Sequence, residues 1–139
     1  MTAKRIMVDM SATLLHHGHI RLLAKAASHG RIIVGLTTDD EIRRWKHYEP
    51  ELTFDERREI LLAIRHVDEV VATPWLITEA VLDEHDIDLL VHGDDNRNEI
   101  SESRLLILPR TPGISSTDLR QRSVLSLEAI AHANRKKGT

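Results

Sequence analysis

Ile6-Met7-Val8-Asp9-Met10-Ser11-Ala12-Thr13-Leu14-Leu15-His16-His17-Gly18-His19 decides the fold. The apolar run Ile6-Met7-Val8 reads as a strand. Beyond the quoted stretch, Ile20, Leu23, Ala24 and Ala27 recur at helical spacing. A first strand therefore hands over to a first helix through a turn that carries His16, Gly18 and His19. In a parallel α/β fold this crossing is where phosphates bind. Backbone N–H groups at the helix start lack partners, and the helix dipole favours an anion there. Gly18 lets the chain pass close to a ligand. Two imidazoles beside it offer hydrogen bonds to phosphate oxygens. The same pair is also the pattern of a metal half-site at His16, His17 and His19, or of polar residues opening a helix, so the rest of the chain has to decide.

Outward from this stretch the pattern alternates. Residues 5–9 predict the first strand, and 18–29 a helix ended by Gly30 at a C-cap position. Arg31-Ile32-Ile33-Val34-Gly35-Leu36-Thr37 is a continuous apolar strand, as expected for one buried on both faces of a parallel sheet. Residues 40–52 read as a polar surface loop with at most one helical turn. Thr53-Phe54-Asp55-Glu56 is a capping box that starts a helix running to about residue 66. Residues 67–72, 87–92 and 105–108 read as strands, with a helix from Thr78 to His85. A last helix begins near Ser115; residues from 126 onward extend it, and 134–139 fray. This order predicts a doubly wound, five-stranded parallel sheet, Rossmann-like, with helices on both faces and right-handed crossovers. Ligands bind such sheets outside the carboxyl ends of the strands. Residues 11–19, Thr38-Asp39, Gly93-Asp94-Asp95 and Arg110-Thr111 all fall there.

Composition narrows the function classes. The chain has 139 residues, enough for one well-cored domain. A net charge of −3 gives no nucleic-acid or membrane signature, and 3% aromatics leaves no stacking platform for single strands. The absence of cysteine excludes disulfides and thiolate chemistry and fits a cytoplasmic setting. Met1 to Arg5 leads straight into a strand, so no signal peptide is expected, and no apolar run suffices for a membrane span.

Pro109-Arg110-Thr111-Pro112-Gly113-Ile114-Ser115-Ser116-Thr117 combines a cation, a glycine and three hydroxyls opening a helix. The Arg110 fork suits polyphosphate. The hydroxyls either donate to an anion or, as the simpler reading, cap the helix, with Ser115 and Asp118 forming a capping pair.

With these motifs the sequence resembles the cytidylyltransferase-like nucleotidyltransferases, most closely the small glycerol-3-phosphate cytidylyltransferase type. The resemblance rests on His16-x-Gly18-His19, on Arg57 and Arg65 in the segment 54–70, on Gly93-Asp94-Asp95 and on the segment 110–117. It covers about residues 4–123, so 1–125 reads as the nucleotidyltransferase domain and 126–139 as a helical extension or tail. It implies attack of an anionic acceptor on the α-phosphorus of CTP with release of pyrophosphate. By resemblance His16, His19, Lys46 and Arg110 are the catalytic set. Ser11, Ala12, Gly18, Asp94, Thr111, Ser115, Ser116 and Thr117 bind the nucleotide. Thr13, Arg57, Arg65 and Trp75 serve the acceptor, Arg57 and Arg65 lying eight apart on one helix; an exposed helix face partnered by Glu56 and Glu59 is the alternative for both. The other histidines, His92 included, receive no role. Magnesium is implied, held mainly through the triphosphate with no protein metal site, and related enzymes commonly form homodimers.

One departure matters. Met10-Ser11-Ala12-Thr13 replaces a segment that ends in aspartate in the glycerol-3-phosphate enzymes, and is similar to cytidylyltransferases that accompany phosphonate metabolism. Loss of a carboxylate at position 13 lessens repulsion of a highly charged acceptor such as a phosphonate carrying a carboxylate. An adenylyltransferase of the same superfamily and a catalytically weakened nucleotide-binding module are the competing readings.

Overall fold

The computed structural model describes residues 3–138. Its elements are β1 (Arg5–Met10), α1 (His17–Ala27), β2 (Arg31–Thr37), α2 (Asp39–Lys46), α3 (Phe54–Leu62), β3 (Glu69–Thr73), α4 (Glu79–Glu84), β4 (Leu89–Gly93), β5 (Leu105–Leu108) and α5 (Ser116–Lys137). All strand pairs are parallel, in the order β3-β2-β1-β4-β5. The order reverses beside β1, so the turn after β1 opens at the switch point where such sheets take ligands.

Strand alternation assigns side chains to two layers. Ile6, Val8 and Met10 of β1 and Ile32, Val34 and Leu36 of β2 pack with Leu23 and Ala26 of α1 and Leu61 of α3. Met7 and Ile33 face the other way and pack with Ile77, Leu82, Ile87 and Leu90. Asp9 shares Met7's face, which brings a carboxylate to the strand's carboxyl end.

Four elements differ from the sequence expectation. Residues 39–46 are a helix of two turns. Thr38 caps it by accepting from the Glu41 N–H, acids fill its first turn, and Arg43, Arg44 and Lys46 fill its last. Charge placement along the helix dipole offsets a segment whose one buried residue is Ile42. Secondly, α3 stops at Leu62, so Arg65 lies beyond it. Thirdly, α1 ends at a Ser28 cap rather than at Gly30. Gly30 serves a close approach instead: a Cβ there would sit 2.2 Å from the Lys4 carbonyl oxygen. Fourthly, the final helix continues to Lys137, so residues 134–137, expected to fray, are helical, while Thr139 lies outside the described residues; the helix is exposed from residue 121 onward. Among the described residues no helix is long and apolar enough to cross a membrane.

Candidate active site

The carboxyl ends of β1, β2 and β4 open into a cavity of about 920 Å³. It gathers Ser11, Ala12, Thr13, His16, Gly18 and His19 from the turn after β1 and Lys46 from the end of α2. Trp75 comes from the segment after β3, and Arg110, Thr111, Ser115, Ser116 and Thr117 from the approach to α5. Residues spread over a hundred positions of sequence thus share one wall because parallel strands end on one edge.

His16 and His19 build the start of α1. His16 is the N-cap, and its Nδ1 accepts the Gly18 N–H at 3.0 Å. His19 reaches back, its Nδ1 accepting the His16 N–H at 3.1 Å. This is a capping box made of two imidazoles. Each Nδ1 accepts, so each ring carries its proton on Nε2 when neutral. Burial, then the His16 charge, then Arg110 and Lys46, push His19 down to about 3. Burial, His17 and Arg110 lower His16 as well. The pair is therefore two neutral donors beside Lys46 and Arg110. The metal reading of His16, His17 and His19 finds no support: among the described residues no group of three or more His, Cys, Asp or Glu could hold a metal ion.

The hydroxyls at the start of α5 divide between structure and cavity. Ser115 caps the helix by accepting the Asp118 N–H at 3.0 Å, and Ser116 donates to the Leu14 carbonyl at 3.2 Å. The second bond ties α5 to the turn that carries His16. Arg110 is half exposed, with Asp95 3.6 Å away. Gly93 makes room for it, because a Cβ there would lie 3.1 Å from the Arg110 Cγ. Ala12 holds a left-handed φ of 48°, uncommon outside glycine.

Three expected residues do not reach the cavity. Asp94 is exposed and is not part of the cavity wall, which its neighbour Asp95 lines instead. Arg65 is exposed beyond α3 beside His66. Arg57 is 1% exposed and braces the site from behind. Its Nη1 donates to the carbonyls of Ser11 at 2.6 Å and Thr37 at 2.9 Å, its Nε to Leu52, and its Nη2 to Asp39 at 2.6 Å. A buried guanidinium that makes four hydrogen bonds, to three backbone carbonyls and one carboxylate, is neither an acceptor contact nor a solvated partner of Glu56 or Glu59.

Sequence reasoning missed His92. It lines the cavity from β4, its Nδ1 bonded to Asp9 and its Nε2 3.5 Å from Asp95. Burial pulls the imidazole down, but the Asp9 hydrogen bond and charge, with Asp95, raise it above its ordinary value. Asn98 also donates to Asp9 and accepts the Ile77 N–H at 2.7 Å. The signal was the position of Asp9 and His92 at the ends of adjacent strands. Lys25 and Arg97 also line the cavity.

Neutral imidazole donors, lysine and arginine charge and an open helix start around one cavity suit a polyphosphate. A model of the family described as cytidylyltransferase-like matches residues 12–122. The chain belongs to this cytidylyltransferase-like family. By that membership it is a nucleotidyltransferase. Glycerol-3-phosphate cytidylyltransferase of Bacillus subtilis is 32% identical over 123 residues, covering 85% of this chain and 95% of that protein. Ethanolamine-phosphate cytidylyltransferase of Mus musculus is 36% identical over 137 residues, covering 90% of this chain, which spans 34% of that protein's length. Choline-phosphate cytidylyltransferase A of Homo sapiens is 31% identical, with 96% of this chain and 40% of that protein covered. A lipopolysaccharide core biosynthesis protein from Thermoplasma volcanium shares the family fold with a TM-score of 0.67. It is 17% identical, and the match covers 78% of this chain and 98% of that one.

Proposed function

We propose that the chain is a CTP-dependent cytidylyltransferase acting on a small phosphate or phosphonate. An acceptor oxygen forms a bond to the α-phosphorus of CTP, the bond from that phosphorus to the β-bridging oxygen breaks, and pyrophosphate leaves. The observation that carries this reading is the meeting of His16, His19, Lys46 and Arg110 with the start of α5 on one cavity. Positioning and charge stabilisation are the work of such a site, since phosphoryl transfer needs no covalent enzyme intermediate. The Nε2–H groups of His16 and His19 donate to phosphate oxygens. Being neutral, they add no charge repulsion to the Lys46 and Arg110 side. Arg110 offers its fork to the departing pyrophosphate. The cavity wall holds two carboxylates. Asp9 is committed to His92 and Asn98, whereas Asp95 is exposed. That donor set fits a magnesium ion carried by the triphosphate with Asp95 as its one available protein carboxylate, and the ion would supply further charge neutralisation.

Thr13 bears on the acceptor. It is 1% exposed and neutral, so no carboxylate repels a doubly anionic acceptor at that point. The test is pyrophosphate release with CTP and ATP in separate reactions containing magnesium, against glycerol 3-phosphate, ethanolamine phosphate and small phosphonates. Release with CTP and an acceptor, and none with ATP, is expected. Turnover with ATP alone overturns the base assignment. CTP binding without release from any acceptor makes the chain a binding module.

A further inference from the structure

Lys46 closes α2, and His47 behind it turns left-handed with φ 62°. A lysine at such a place has a wide choice of rotamers. Here its ammonium lies 5.8 Å from the centre of the Tyr48 ring and 5.3 Å from that of Trp75. Tyr48 is in turn held by Arg120 of α5. The Arg120 Nη2 donates to the Tyr48 hydroxyl at 2.8 Å, and the guanidinium carbon lies 4.4 Å from the ring centre. Glu51 grips the same guanidinium twice, at 2.6 Å through Nε and 2.9 Å through Nη2. Arg120 also donates to the Thr13 hydroxyl, in the turn that carries His16. One guanidinium therefore joins α5, the loop behind Lys46 and the loop after β1. The charges reinforce each other: the Glu51 hydrogen bond raises Arg120, and the Arg120 hydrogen bond lowers Glu51.

We propose that Arg120, clasped by Glu51, is a positioning residue that holds Lys46 at the cavity through Tyr48. The inference rests on the reading that Lys46 meets phosphate there. Arg120 itself does not line the cavity, so its effect must pass through the residues it holds. Holding the loop and flanking the ammonium removes rotamers before a ligand arrives, which is preorganisation rather than a new contact. Thr13 fits this role because a neutral hydroxyl leaves Glu51 as the carboxylate partner of Arg120.

The test is a double-mutant cycle of Arg120→Met and Lys46→Met, read by calorimetric titration with CTP and with inorganic tripolyphosphate. Amide deuterium exchange over residues 47–52 is measured alongside. Each single variant is expected to weaken tripolyphosphate binding by about fivefold or more, and the double variant to be within about twofold of Lys46→Met alone. Exchange in the loop rises in Arg120→Met, and Arg120→Lys restores part of the affinity. Multiplicative effects in the cycle, or unchanged loop exchange, overturn the proposal. If Arg120→Met does not fold, Glu51→Gln takes its place in the cycle. A cycle that shows the coupling, with a wild type that binds tripolyphosphate but releases no pyrophosphate, overturns the transferase reading and leaves the clasp standing. A wild type that does not bind tripolyphosphate overturns both.

Discussion

Acid should destabilise this fold through His19, and the amount follows from its surroundings. The ring's pKa falls from the ordinary 6.5 to about 3, chiefly because it is buried, then because of His16. The folded value is depressed, so His19 favours the folded state fully above pH 6.5. That contribution drains away as pH falls toward 3, because the unfolded chain takes up a proton that the folded chain refuses. One proton corresponds to about 1.4 kcal/mol per pH unit, hence to about 2.7 kcal/mol between pH 6.5 and pH 4.5. That is a large part of the stability of an ordinary domain. The perturbation is His19→Asn. The Asn Oδ1 can accept the His16 N–H as Nδ1 does, while the titration disappears. Urea unfolding of both proteins is measured at pH 7.5, 6.0 and 4.5. The difference between them cancels the carboxylates, Glu51 and Glu79 included, whose own lowered values also cost stability in acid. His92 acts with the opposite sign: its raised pKa gives stability present below 6.5 and lost as pH rises through the folded value, and it too cancels. The variant should gain on the wild type by about 2.7 kcal/mol between the highest and lowest pH. A difference that stays flat would refute the claim that the ring is held neutral.

Four further outcomes are expected. Arg57→Met strands the Asp39 carboxylate and the Ser11 and Thr37 carbonyls, and should cost about 3–5 kcal/mol in urea unfolding; a loss under about 1 kcal/mol contradicts the brace. Gly18→Ala places a Cβ 2.8 Å from the His16 Cε1 and 3.2 Å from the Ile114 Cγ2. It should displace the ring, weaken the cap by about 1 kcal/mol, and reduce pyrophosphate release by more than the stability loss explains. Arg110→Lys keeps the charge and loses the fork, so kcat/KM for CTP should fall about tenfold or more with stability unchanged, as steady-state kinetics and urea unfolding together would show. Thr13→Asp introduces a buried carboxylate that competes with Glu51 for Arg120. It should weaken use of a doubly anionic acceptor more than use of glycerol 3-phosphate, and equal losses in KM for the two would remove the charge argument.

The sheet was legible because its central strands β1, β2 and β4 are largely buried and read as apolar runs; β2 matches its predicted span from Arg31 to Thr37. The caps at Thr53 and Ser115 were legible because side-chain acceptors at helix starts have a sequence pattern. The helix α2 was not, since its stability comes from a cap and a charge gradient with one buried residue, so apolar periodicity carried no signal there. The arginines show the same limit at the site. Arg57 and Arg110 are alike as residue types near phosphate motifs. What separates them is whether the backbone around them offers carbonyls, and that depends on where β1 and β2 end in space. His92 went unseen because its partner Asp9 is 83 positions away and becomes a neighbour only through the crossover that places β4 beside β1.

The division of polar atoms between scaffold and cavity would let the proposed site take an anion and yet stay folded without one. Four cations, Lys25, Lys46, Arg97 and Arg110, line a wall that holds two carboxylates. Cations gathered without an anion repel one another. Two devices limit that repulsion. His16 and His19 stay neutral, their Nδ1 atoms committed to the helix cap and their burial opposing protonation. Asp9 and Asp95 flank His92, the imidazole drawn above its ordinary pKa, and Asp95 also stands beside Arg110. The Nε2–H groups, the helix start and the half-exposed Arg110 fork then remain for the ligand. Donors already oriented by the scaffold need little rearrangement when charge develops on phosphorus, which is the condition for electrostatic stabilisation of a transition state.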